Sequence, residues 1–61
     1  MKVVKRKKEE GADWQEITMD QAVEELEGSG HWRPNTVKEM LKNGDLLWTT
    51  ESEYKIDRGG L

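Results

Sequence analysis

Few side chains in this chain could do covalent chemistry. There is one histidine, His31, and there is no cysteine. Ser29 stands two residues before it, but no acid or oxyanion arrangement accompanies the pair, so nucleophilic catalysis has no recognisable machinery. As a metal ligand His31 would have only carboxylates for company, a poor donor set for zinc. The glycines are isolated punctuation, not a phosphate-cradling loop. The reading is a protein that is not an enzyme, takes no cofactor, metal or small-molecule substrate, and carries His31 in an exposed loop. What remains is charge and aromatic surface, which is binding chemistry.

The charge is unevenly divided. Residues 1–10 hold Lys2, Lys5, Arg6, Lys7 and Lys8 against two glutamates, a formal +3. The rest holds five basic and eleven acidic residues, a formal −6. Met1–Glu10 lacks the periodicity of a helix or strand, and Gly11 follows it, so it reads as a flexible basic arm over residues 1–11. It also lacks the apolar centre of a signal peptide. No apolar run approaches the ~20 residues of a membrane span. With no disulfides to form, the expectation is a cytoplasmic protein with no membrane association. Sixty-one residues make one domain, hiding only ~60% of the surface its unfolded form exposes.

The elements that must position any binding surface are legible in part. Met19, Ala22, Val23 and Leu26 follow helical spacing after Thr18, which forms an S/T-x-x-E/Q capping box with Gln21. Gly28 is placed to end this helix in a left-handed conformation. The stretch Ser29–Pro34 interrupts, with Pro34 suited to a helix start. Val37, Met40 and Leu41 then give a second apolar face, opened by Thr36 and Glu39 as another capping box and stopped at Asn43-Gly44. Leu46, Leu47 and Trp48, a polar turn over residues 49–53, and the alternating Tyr54 to Asp57 read as a hairpin, with Leu46 and Trp48 sharing one face.

The fold class predicted is α+β: a small winged-helix-like domain over residues 12–58, with helices near 18–27 and 35–43 and a two-stranded hairpin near 46–57. Residues 59–61 read as a frayed end. Its core is predicted from Ile17, Ala22, Val23, Leu26, Val37, Met40, Leu41, Leu46 and Ile56. Trp32 is read chiefly as a core plug between the helices, with a projecting binding anchor as the other reading. Trp14 either starts a further short strand or lies across the helices.

Residues 16–56 resemble the excisionase-type, MerR-like helix-turn-helix family of small winged-helix DNA-binding domains. The resemblance is carried by Thr18-Met19-Asp20-Gln21-Ala22 opening the first helix, Thr36-Val37 in the second, Gly44-Asp45-Leu46 turning into the wing, and Tyr54-Lys55-Ile56 closing it. It covers about two thirds of the chain. It implies a DNA-binding regulator of transcription or recombination in bacteria or their phages, with double-stranded DNA as partner. On that reading Asn35, Thr36, Lys38, Glu39 and Lys42 lie near the bases. Arg33, Lys55 and the arm residues Lys5, Arg6, Lys7 and Lys8 then meet phosphates.

The acidic body argues for an alternative. Glu51 and Glu53 sit in the polar turn where a DNA-contacting wing needs cations, because phosphate neutralisation supplies most nonspecific affinity. A protein-binding module, such as a phage-type modulator of a host protein, would instead use the acidic face of the first helix (Asp20, Glu24, Glu25 and Glu27) and an exposed Trp32 or Trp48.

Overall fold

The computed structural model describes residues 2–33 and 35–57. Pro34 at the helix start and the frayed end over 59–61 lie outside those residues. Six elements follow in order: β1 (Lys2–Lys7), β2 (Gln15–Ile17), α1 (Met19–Gly28), α2 (Val37–Lys42), β3 (Leu47–Trp48) and β4 (Ser52–Asp57). The strands form one antiparallel sheet in the order β2-β1-β4-β3. The class is α+β, with two helices and a C-terminal hairpin where the sequence places them.

The sheet has four strands, however, not two. The segment expected to be a flexible arm is β1, one of the two central strands. Val3 pairs with Ile17 on one side and Ile56 on the other, and Lys5 pairs with Gln15 and Tyr54. The charge imbalance explains why so basic a segment can sit there. Three of its cations meet acids of the body: Lys2 with Glu16 at 3.8 Å, Lys5 with Glu25 at 2.6 Å, and Arg6 with Glu53 at 3.0 Å. The turn back to β2 is closed by the Ala12 N–H donating to the Glu9 carbonyl, with Gly11 at φ 81°.

Helix α1 opens with half of its capping box. The Thr18 hydroxyl accepts the Gln21 N–H at 3.0 Å, but the Gln21 amide turns to Glu25 instead of reaching back. The helix runs through Gly28, and the left-handed residue is Gly30, at φ 81°, because Ser29 holds the last turn by donating to the Leu26 carbonyl. The second capping box does not form. Thr36 donates its hydroxyl to the Arg33 carbonyl at 2.6 Å and leaves the helix start uncapped by a side chain. Asn43-Gly44 does stop α2. Gly44 takes φ 92°, and the Asp45 and Gly44 N–H groups reach Met40 and Leu41 carbonyls, the pair of bonds a Schellman ending makes.

One face of the sheet carries both helices. Val3, Leu47, Tyr54 and Ile56 meet Ala22 and Leu26 of α1 and Val37 and Leu41 of α2. Ile17, Val23 and Met40, predicted as core, are partly buried against this cluster, as are Met19 and Trp32. Leu46 is a correction: it is 46% exposed, while Leu47 is buried at 1%. Leu47 pairs with Tyr54, so the inward parity of β3 is one residue off the predicted one, and a one-residue slip turns every side chain over.

Both sheet edges are short. At β3, Thr49 bonds back to Ser52, so Trp48 in the alternation turns its carbonyl outward, and the Trp32 indole N–H donates to it at 2.8 Å. A loop side chain thus caps the edge, one of the ways proteins blunt unpaired strands. Among the described residues no helix is long and apolar enough to cross a membrane.

Candidate nucleic-acid interface

Strand alternation decides which side chains look away from the helices. Val3, Lys5, Tyr54, Ile56 and Leu47 share the helix side, so Val4, Arg6, Glu16, Glu53, Lys55 and Trp48 share the other. Trp14 directly precedes Gln15, the partner of Lys5, and so stands beside Arg6. One row therefore crosses the sheet from edge to edge: Trp14, Arg6, Glu53, Trp48.

The contacts along this row are specific. The Arg6 guanidinium lies 4.5 Å from the Trp14 ring centroid and the Lys55 ammonium 4.4 Å from it. Lys8, just beyond β1, has its backbone N–H on the Glu51 carbonyl and its ammonium 5.1 Å from the Trp48 ring. These separations are within the range where a cation is attracted to the negative face of an indole. Trp48 is 41% exposed, and with Leu46 it forms the exposed large hydrophobic surface among the described residues. His31 at 5.0 Å and Trp32 at 5.5 Å, edge-on, flank Trp48 and fix its position. Val4 faces this side too, yet is buried.

The surface expected to gather Arg33, α2, Lys55 and the arm is not one patch. Arg6, Lys8 and Lys55 lie on the helix-free face. Lys38, Glu39 and Lys42 are exposed on α2, in the layer on the other side of the sheet. Arg33, Asn35 and Thr36 are exposed in the inter-helix segment, where the Asn35 N–H reaches Glu27 at 3.4 Å and Asn35 takes φ 69°. Lys7 is exposed at the end of β1. Glu53 is not at the hairpin tip but in β4, bonded to Arg6, which leaves Glu51 as the acid in the turn.

Lys5 is taken off the helix-free face and drawn into a contact with α1. Its ammonium shares one Glu25 oxygen with the Tyr54 hydroxyl, each at 2.6 Å, and Gln21 donates to the other oxygen at 3.0 Å. Burial alone would raise the Glu25 pKa, but the bonds from Lys5, Tyr54 and Gln21 together hold it below the ordinary value. Burial and the adjacent carboxylate push the Tyr54 phenol up to about 12. This cluster ties α1 to the sheet and is structural in character.

His31 donates its backbone N–H to the Ser29 hydroxyl at 3.3 Å and sets its ring beside Trp48. No group of three or more histidine or acidic side chains among the described residues is placed to hold a metal ion. Trp14 and Trp48 were missing from the predicted DNA site, Trp48 being read there only as an anchor for a protein partner. Trp14 had no periodic context, and only pairing of β1 with β2 gives it a face. Compared with protein-family models, curated proteins and solved structures, the chain shows no match.

Proposed function

We propose that this chain is a small non-enzymatic nucleic-acid-binding module, a DNA-binding regulator of the kind serving transcription or recombination in bacteria or their phages. The observation that carries the reading is the helix-free sheet face, on which Trp14 stands against Arg6 and Lys55 and Trp48 against Lys8. Cations attract phosphate and indole faces attract bases; the central strands carry Arg6 and Lys55, and the edges carry Trp14 and Trp48. The duplex expectation comes from the winged-helix resemblance in the sequence, from which the four-stranded order β2-β1-β4-β3 departs. On that likeness α2 offers Lys38 and Lys42, one turn apart, as a further duplex contact.

The test is a salt series of binding to a random-sequence pool of DNA, duplex and single-stranded. Affinity should fall as salt rises, because each phosphate contact releases a counterion. At ~50 mM salt, tens of micromolar protein should reveal nonspecific binding of roughly 10⁻⁴ to 10⁻⁶ M. No binding to either form there overturns the reading. A protein-binding module is the second reading, favoured by Leu46 at 46% and Trp48 at 41% exposure on the β3 edge. Of the two, Trp48 is of the type that anchors protein interfaces. It predicts no affinity for DNA and loss of partner binding on truncating Trp48.

A further inference from the structure

Resting on the nucleic-acid reading above, we propose that the helix-free face takes a single strand in preference to a duplex, with Trp14 and Trp48 as its two stacking platforms.

The geometry of the cross-sheet row points to this. Trp14 and Trp48 terminate a row of four strands, three inter-strand steps apart, or ~14 Å at the usual strand spacing. Stacked nucleotides rise roughly 3.4 Å each, so the row spans about four of them, the lower end of known single-strand site sizes. An indole can stack only on a base whose face is free, and in a duplex those faces are occupied by neighbouring bases. The molecule is flattened to 16 Å in its thinnest dimension, and its helices all lie behind the sheet. Among the described residues no helix lies on this face.

Charge sets the strength and limits it. Lys2 is paired with Glu16 and Arg6 with Glu53, while Lys8 and Lys55 sit over rings. Lys8 and Lys55 sit over the indoles themselves, so a base stacking on either ring must displace its cation, which is then placed to meet the backbone phosphate. Two phosphate contacts, or three if Arg6 leaves Glu53, predict a slope of log affinity against log salt of about −1.4 to −2.1 for a single strand. Stacking must supply the remainder, so binding should persist at salt concentrations that abolish a purely electrostatic complex.

The experiment is fluorescence anisotropy of a labelled ten-nucleotide oligothymidylate and of a ten-base-pair duplex, titrated with the full 61-residue chain over a salt series. The expected result is at least tenfold tighter binding to the single strand, with the shallow slope above. Trp48→Leu and Trp14→Leu, which keep an apolar though smaller side chain and remove the π surface, should each weaken single-strand binding roughly 5- to 150-fold. A second measurement guards against variants that fail to fold. In the unaltered protein, the oligonucleotide should shift the indole N–H resonances of Trp14 and Trp48 more than the backbone amides of 38–42. Equal or tighter duplex binding, or shifts confined to 38–42, overturns the single-strand proposal and leaves the DNA reading standing. Failure of both nucleic acids to bind overturns both and favours a protein partner.

Discussion

At the scale of single residues, Glu25 is the side chain on which most depends. It accepts from Lys5 of β1, Tyr54 of β4 and Gln21 of its own helix. A hydrogen bond to a charged group is worth ~1.5–3 kcal/mol, and the 29% exposure of this carboxylate argues for the lower end per bond. Glu25→Gln should therefore cost ~1–3 kcal/mol in urea unfolding. The pH dependence follows from the two shifts. Glu25 is held below its ordinary 4.5, so its contribution is present above that value and is lost as pH falls through the depressed one. Tyr54 is raised from 10.0 to about 12, so its contribution is present below 10.0 and is lost as pH rises through about 12. Tyr54→Phe should flatten the alkaline limb and Glu25→Gln the acid limb; unchanged limbs would show that the cluster does not couple to folding.

At the scale of elements, β1 and β3 give the sharpest predictions. Val3 to Lys5 have ladder partners on both sides, and Arg6 pairs with Glu53 of β4. Their amides should show hydrogen-exchange protection comparable to β4, and deleting residues 1–8 should unfold the domain. A truncated chain with an unaltered melting temperature would return this segment to the status of an arm. In β3, Leu47→Ala should cost ~2–5 kcal/mol as a core truncation. Leu46→Ala should stay within ~0.5 kcal/mol as a surface change. Equal costs would show that the parity of the strand is wrong. The helices were legible because apolar periodicity is local, although the second capping box does not form and the first forms only by half. The parity of β3 was not, since Leu46, Leu47 and Trp48 are all apolar and alternation cannot choose between adjacent leucines.

At the scale of the whole molecule, one small core supports everything. A domain of this size has ~3–9 kcal/mol of stability at typical values per residue. Leu26 and Leu41 are fully buried at the meeting of both helices with the sheet, and truncating either to Ala should cost ~2–5 kcal/mol. Either variant should be partly or wholly unfolded at room temperature by circular dichroism. A parent-like melting temperature would mean that the helix faces are misassigned. The net charge of −3 also sets an expectation for binding. A polyanion must be held by local cations against a repulsive whole, so any nucleic-acid complex should be weakened by salt.

By itself the sequence determined the local elements: where α1 and α2 lie, that Gly44 ends the second, and that a hairpin follows. Those features depend on side chains within a few residues of one another. It also determined the opposition between a basic first segment and an acidic remainder. Only tertiary structure decided what that opposition does. Lys5, Arg6 and Lys2 find Glu25, Glu53 and Glu16 across separations of 14 to 47 residues, and those pairings let a cation-rich strand occupy the centre of the sheet. The row from Trp14 to Trp48 is likewise a product of register between β2, β1, β4 and β3. Register arises from the sum of long-range backbone pairing, and no local pattern in the chain encodes it.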